Sequence, residues 1–258
     1  MVGTNLHATR HEGRVAIVTG AASGIGRATV LRLVAEGAAV VGCDVDAAGL
    51  DDTAAGAPEG RVVTEVADIT NPDDVARVVA RADMTFGRVD TLANVAGILD
   101  NMLPPHDIDD ATWERVMRVN VDGPMRLTRA VLPHLRSHGG GAIVNVASEA
   151  SLRGGTAGVA YTTSKHAVLG LTRSVAWFYG PEGVRCNAVV PGGVATNIGS
   201  SLDTASPWGL ERVMPVVGLA PPIAEPDRIA TLISWLASDE ATNVNGAVIA
   251  DDGGWSAG

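Results

Sequence analysis

Seven short runs rich in apolar and β-branched residues recur along the chain, and stretches with helical periodicity follow five of them. That alternation constrains the fold more than any other feature, because it is the pattern of a parallel sheet whose crossovers are helices. The runs span 14–19, 39–43, 61–66, 89–93, 142–146, 184–190 and 247–250. Most are continuously apolar rather than alternating, as strands covered on both faces must be. Helical patterns cover 25–36, 72–85, 112–137, 159–179 and 226–238. Pro72 and Pro226 stand where a first helical turn tolerates a missing N–H, and Gly37 and Gly180 stand where helices end. The pattern predicts a flexible polar tail over 1–13 and one α/β domain over 14–258, a doubly wound sheet of about seven strands. Between 193 and 224 the chain is proline-rich with little periodicity, and a loop of that length after a strand end is expected to cover a ligand.

The first strand runs directly into Thr19-Gly20-Ala21-Ala22-Ser23-Gly24-Ile25-Gly26, and a helix opens there. Glycines allow the tight turn and let the backbone approach a pyrophosphate, while the helix N-terminus offers free N–H groups and a positive dipole end. Gly20, Ser23, Gly24, Ile25 and Gly26 are therefore expected to hold a dinucleotide in a Rossmann-type fold. No Gly-Lys-Ser/Thr ending follows, so a triphosphate loop is not expected. Asp44 closes the second strand eighteen residues after Gly26. A carboxylate there accepts hydrogen bonds from ribose hydroxyls and repels a 2′-phosphate. One such charge pair at about 4 Å costs ~4 kcal/mol at an effective dielectric of about 20. No Arg or Lys flanks Asp44, so NAD is expected over NADP.

The chain has nineteen basic residues and only one of them is lysine, Lys165. It lies four residues after Tyr161 on a predicted helix, so the two share a face. A free phenol titrates near ~10, and a nearby ammonium favours the phenolate and lowers that value. A phenol so lowered takes a proton from an alcohol as hydride leaves, or returns one to a forming alkoxide. Ser148 sits just past the strand over 142–146, thirteen residues before Tyr161, where a hydroxyl can hold the substrate oxygen against the phenol. Ser151 is a rival for that role, and spacing does not choose between them.

In order, Thr-Gly-x-x-x-Gly-Ile-Gly at 19–26, Asp68, Asn94-Val95-Ala96-Gly97, Asn120, Ser148, Tyr161-x-x-Ser164-Lys165 and Pro191-Gly192-Gly193-Val194-Ala195-Thr196 form one constellation. It resembles the short-chain dehydrogenase/reductase family from about Arg14 to Gly254. Val95 is a mild departure from the Asn-Ala-Gly that the family pattern usually carries. The resemblance implies an oxidoreductase moving a hydride between NAD(H) and a secondary alcohol or ketone. It implies catalytic roles for Asn120, Ser148, Tyr161 and Lys165, with Asn120 at a helix kink holding a water near Lys165. Asp68, with Ile69 beside it, would meet the adenine. Asn94, Ala96 and Gly97 would wall the ribose, and Pro191, Gly192, Val194 and Thr196 would lie at the nicotinamide end, Val194 and Thr196 on its carboxamide. Tyr161 and Lys165 would also touch the cofactor. The helices over 120–137 and 159–179 would pack across a subunit interface, within a homotetramer.

Leu99, Leu152, Trp208, Leu210 and Met214 suggest an apolar substrate pocket, to which Glu149 and Arg153, close to Ser148, could add a polar contact. The net charge of −10 argues against a nucleic-acid partner, and no apolar run approaches the ~18–20 residues of a membrane span. Residues 1–13 lack the apolar stretch of a secretory signal, so a cytoplasmic protein is expected. Cys43 and Cys186 read as buried thiols, and His134 and His138 as cations at a helix end, with no metal expected. Trp113, Trp177 and Trp235 read as core or subunit-contact residues. Two other functions fit the same motifs: an NADPH-dependent reductase of 3-oxoacyl type, and a non-catalytic dinucleotide-binding scaffold.

Overall fold

The computed structural model describes residues 9–198 and 205–258. The strands are β1 (Val15–Thr19), β2 (Ala39–Asp44), β3 (Val62–Val66), β4 (Thr91–Asn94), β5 (Gly141–Val146), β6 (Val184–Pro191) and β7 (Val248–Asp251). They form one sheet in the order β3-β2-β1-β4-β5-β6-β7, all pairs parallel. This is the doubly wound Rossmann arrangement that the apolar runs predict. Strand order reverses between β1 and β4, and ligands bind in the crevice such a reversal leaves at the carboxyl edge. There the Thr19 hydroxyl accepts the Val95 and Ala96 N–H groups, each at 3.0 Å, joining the two strand ends.

The helices are α1 (Gly24–Ala35), α2 (Ala47–Ala55), α3 (Pro72–Phe86), α4 (Asp110–Met117), α5 (Gly123–Ser137), α6 (Val159–Tyr179), α7 (Pro207–Val217) and α8 (Pro226–Ala237). Alternate strand residues face opposite layers. Ile17, Val41, Leu92 and Ile143 pack with Val78 of α3 and Leu127 and Leu135 of α5. Val18, Val40, Ala93 and Val144 pack with Leu33 of α1 and Ile229 and Ile233 of α8. Leu127 is fully buried in the first layer, whereas Met84, on α3, is 77% exposed. Leu127→Ala is expected to cost ~2–5 kcal/mol through lost burial and the cavity left behind. Met84→Ala should stay within about 0.5 kcal/mol. Urea unfolding of both variants checks this, and equal midpoint shifts would contradict the layer assignment.

Four features differ from the sequence reading. The pattern over 112–137 is not one helix: a π-helical turn, Arg118–Asp122, separates α4 from α5. Pro124 has no N–H to give the Asn120 carbonyl, so the ladder shifts register and Gly123 N–H reaches Arg118 O. The stretch over 193–224 contains α7, where Ser206 caps the helix by accepting from Gly209 N–H; Pro215 within it hid the periodicity. Residues 199–204 of that stretch lie outside the described residues. Helix α2 has little apolar face beyond buried Leu50 and starts at an Asp46 cap.

The expected tail also differs. Its residues 1–8 lie outside the described residues, but packing begins before Arg14. His11 is buried and bonded to Ser234, and Arg10 pairs with Glu36 and Glu240. Cys43 and Cys186 are buried and unpaired. The His134 ring lies 3.9 Å from Asp83, and the His138 ring bonds the His134 carbonyl at 2.8 Å. Among the described residues, no helix is long and apolar enough to cross a membrane.

Candidate active site

At the carboxyl edge of the sheet, beside the β1–β4 reversal, lies a cleft of ≈ 720 Å³. Gly20, Ser23, Gly24, Ile25 and Gly26 line it, joined by Asp44, by Asp68 and Ile69, and by Ala96, Gly97 and Thr196. These residues come from four βα junctions and from the segment after β6. Gly20 turns with φ 68°, a left-handed conformation that a side chain would strain. A Cβ on Gly26 would collide with the Gly20 carbonyl, so the turn tightens only with glycine there. Ser23 starts α1 in extended conformation without a side-chain cap, and no acidic residue follows in the first turn. The helix therefore presents N–H donors and its positive end to the cleft. Glycine-tight backbone, an uncapped helix start and a carboxylate at the second strand end together fit a dinucleotide.

Asp44 is held in place. Its two oxygens accept Ala22 N–H and Asp46 N–H, each at 3.1 Å, so the carboxylate is tied to the glycine-rich loop. Asp68 accepts Thr70 N–H at 2.8 Å, and Ile69 is buried against the Gly123 backbone, where any side chain would collide with it. Asn94 is not among the residues lining the cleft. It is buried behind it and donates to Asn145 at 2.8 Å, because β4 and β5 bring the two amides side by side. Pro191 ends β6, and Gly192 lies against Asp252. Val194 bridges Ala224 and packs on the α1–α8 layer, so these three stand outside the cleft lining, unlike Thr196.

The reactive group assembles where β4, β5 and α6 meet. Tyr161 and Lys165 are both buried, on the first turns of α6. Ser148, just past β5, stands close enough to the phenol to favour its ionised form, and its hydroxyl accepts Ala150 N–H at 3.2 Å. Ser151, the rival, is buried and donates to the Ser148 carbonyl at 2.5 Å, whereas Ser148 is the serine beside the phenol. Lys165 Nζ donates to Val146 O at 2.8 Å and lies 5.5 Å from the Tyr161 ring centroid. A Cβ on Gly97 would stand 3.3 Å from Lys165 Nζ, so the lysine borders the cleft wall. Asn120, in the π-turn, accepts Ile98 N–H and donates to Ile98 O, both at 2.9 Å, and donates to Ser164 at 3.0 Å.

The electrostatics correct one expectation. Burial pushes the Tyr161 phenol up to about 12 rather than down, outweighing the influence of Ser148, and the Asp100 carboxylate adds to the rise. Burial also pulls Lys165 down to about 8, which still leaves it cationic at neutral pH. The protein alone thus keeps the phenol protonated.

Among the substrate candidates, Leu99 lines the cleft, and Leu152, Trp208 and Met214 are half-exposed apolar side chains. Leu210 follows Gly209 on α7 and is half-buried. Glu149 and Arg153 pair with each other close to Ser148. Glu149 is buried under its ion pair with Arg153, whose guanidinium donates to the carbonyls of Trp255 and Gly258 at 2.7 and 3.1 Å. Arg153 thus fastens residues 255–258, while both Glu149 carboxylate oxygens and Arg153 Nε keep no hydrogen-bond partner. The sequence reading missed Arg115, Arg118 and Val119, which line the cleft from one side of the α4–π-turn junction. Their i, i+3, i+4 spacing was the available signal, hidden inside a helix read as continuous.

A family model described as enoyl-(acyl carrier protein) reductase matches residues 20–256. The chain is 41% identical over 249 residues to 3beta-hydroxysteroid dehydrogenase 2 of Eggerthella lenta, covering 95% of each. It is 42% identical over 252 residues to short-chain dehydrogenase/reductase cdmF of Talaromyces verruculosus, covering 94% of this chain and 96% of that one. Levodione reductase superposes with a TM-score of 0.87 at 36% identity, covering 95% of this chain and 98% of that one. A short chain dehydrogenase from Mycobacterium paratuberculosis bound to NAD superposes with a TM-score of 0.85 at 32% identity, covering 96% and 100%.

Proposed function

The chain belongs to the short-chain dehydrogenase/reductase family, an oxidoreductase acting on alcohol or ketone carbons, and on that premise we propose that it uses NAD(H) to interconvert an apolar, cyclic secondary alcohol and its ketone. The observation that carries the reading is half-buried Ser148 beside the buried Tyr161 and Lys165, next to Gly97 of the dinucleotide cleft. Bound NAD⁺ supplies a hydride acceptor and a positive charge near the phenol. Ser148 orients the substrate oxygen, Tyr161 exchanges a proton with it, and Lys165 adds a cation on the phenol's own helix. Gly20 and the start of α1 hold the pyrophosphate, and Asp44 holds the adenosine ribose.

Leu152, Trp208 and Met214 support an apolar substrate. So do relatives whose names carry a hydroxysteroid and levodione. Trp177 and Phe178, 81% and 70% exposed at the end of α6, support the homotetramer. A second reading, an NADPH-dependent acyl reductase, draws on the description of the matching family model and on Arg115 and Arg118 in the cleft. A panel of cyclic and short linear secondary alcohols, assayed with NAD⁺ and NADP⁺, separates the two. The proposal expects NADH from the cyclic alcohols. Turnover confined to NADPH and 3-oxoacyl thioesters would replace it with the second reading.

A further inference from the structure

Helix α6 carries Tyr161 and Lys165, yet it begins at Gly158, which has no side chain to cap it. The first amides of a helix lack partners within it and need an acceptor from elsewhere. That acceptor is Asp100, from the loop after β4. Its carboxylate is fully buried and takes the backbone N–H of Tyr161 at 2.9 Å. The amides of Ala160 and Met102 also face it. Gly158 is glycine because a Cβ there would collide with both Asp100 oxygens.

The residues after Asp100 are unusual in turn. Asn101 and Met102 both hold φ 56°, a left-handed pair that non-glycine residues adopt at an energetic cost and keep only where surroundings enforce it. Helix α7, from the stretch expected to cover a ligand, is seated on this pair. Ser206 N–H donates to Asn101 O at 3.0 Å, and a Cβ on Gly209 would collide with Met102 O. Asp107 accepts from the Ser206 hydroxyl at 3.2 Å, and Leu103 O accepts the first N–H of α6, that of Val159, at 2.9 Å.

We propose that Asp100 is a positioning residue for proton transfer: one buried carboxylate fixes the start of the Tyr161 helix and the strained turn that seats α7. It acts through Tyr161 and α7 and touches no reacting atom, and the proposal rests on Tyr161 being the proton-transfer group. The charged groups facing the phenol are Lys165 from its own helix and Asp100 from the neighbouring loop.

Asp100→Asn keeps the shape and one acceptor, but sets an amide donor against the remaining N–H groups and removes the charge. Asp100 does not line the nucleotide cleft, so NADH affinity should stay within about twofold, while kcat falls ~100-fold, the effect of a displacement of about 1 Å. Without the carboxylate the phenolate is less disfavoured, so the midpoint of the limb where alcohol oxidation rises with pH should move to lower pH. Gly158→Ala displaces the carboxylate but keeps its charge. It should lower kcat without that downward shift, and it stands in if Asp100→Asn fails to fold. Wild-type kcat in both variants, or parallel loss of NADH binding in both, would overturn the proposal. Tyr161→Phe is assayed alongside. If it is inactive while Asp100→Asn behaves as wild type, only the positioning role falls; if it is fully active, both readings fall.

Discussion

Tyr161→Phe is expected to lower kcat for alcohol oxidation by ~10³-fold, within the ~10²–10⁴-fold range of a positioned general acid–base. The ring and its packing remain, so NADH affinity should change by less than about twofold, which marks a lost transition-state interaction rather than lost binding. The hydroxyl is the atom that matters because its ring is buried, stands beside Ser148 and is set on one helix with the chain's single lysine. In the protein alone burial holds the phenol at about 12, so it is a proton donor at neutral pH. Alcohol oxidation needs the deprotonated phenol, and its rate should rise with pH as the phenol titrates. Carbonyl reduction needs the protonated form and should fall over the same window. Positive charge from bound NAD⁺ favours the phenolate, so the oxidation limb should lie below 12, and both limbs should vanish in Tyr161→Phe. Stopped-flow traces across pH, with NADH titrated by tryptophan quenching, check each part. An unchanged kcat would leave a binding scaffold as the better account.

Wild-type protein is expected to bind NADH up to ~10³-fold more tightly than NADPH, since ~4 kcal/mol of repulsion separates Asp44 from a 2′-phosphate about 4 Å away. Asp44→Asn should close most of that gap by strengthening NADPH binding. Asp44→Ala should behave differently. It also releases Ala22 N–H, which Asp44 holds at 3.1 Å, so the phosphate loop loosens and both nucleotides weaken while the gap narrows. Arg115 and Arg118 provide the control, because they are the cleft's cationic residues. If they already serve a 2′-phosphate, NADPH will win in the wild type and Asp44→Asn will change little. Titration of both nucleotides against the three proteins separates these outcomes.

The sheet was legible because its strands are buried on both faces and need continuous apolar runs, and all seven runs form strands. The tight glycine turn after β1 was legible because Gly20 and Gly26 stand where a side chain would be strained or would collide. Helix α2 was not, since it buries little besides Leu50. Helix α7 was not, since Pro215 masks its period. The Asn120 kink was expected, but its form depends on which N–H replaces the one Pro124 lacks, a matter of register rather than composition. The hold of Arg153 on residues 255–258 was not legible, because its partners, Trp255 and Gly258, lie a hundred residues further on. The phenol's direction of shift was missed for a related reason. Sequence spacing shows the lysine, but not the burial or the Asp100 carboxylate that oppose it.

The most direct test of the central claim is isotopic. A cyclic, apolar secondary alcohol deuterated at its carbinol carbon is incubated with the protein and NAD⁺, and the reduced nucleotide is weighed by mass spectrometry. The account predicts NADH carrying one deuterium, with formation slowed ~10³-fold in Tyr161→Phe that still binds NADH. Tight NADH binding with no deuterium transferred from any alcohol of the panel would contradict it.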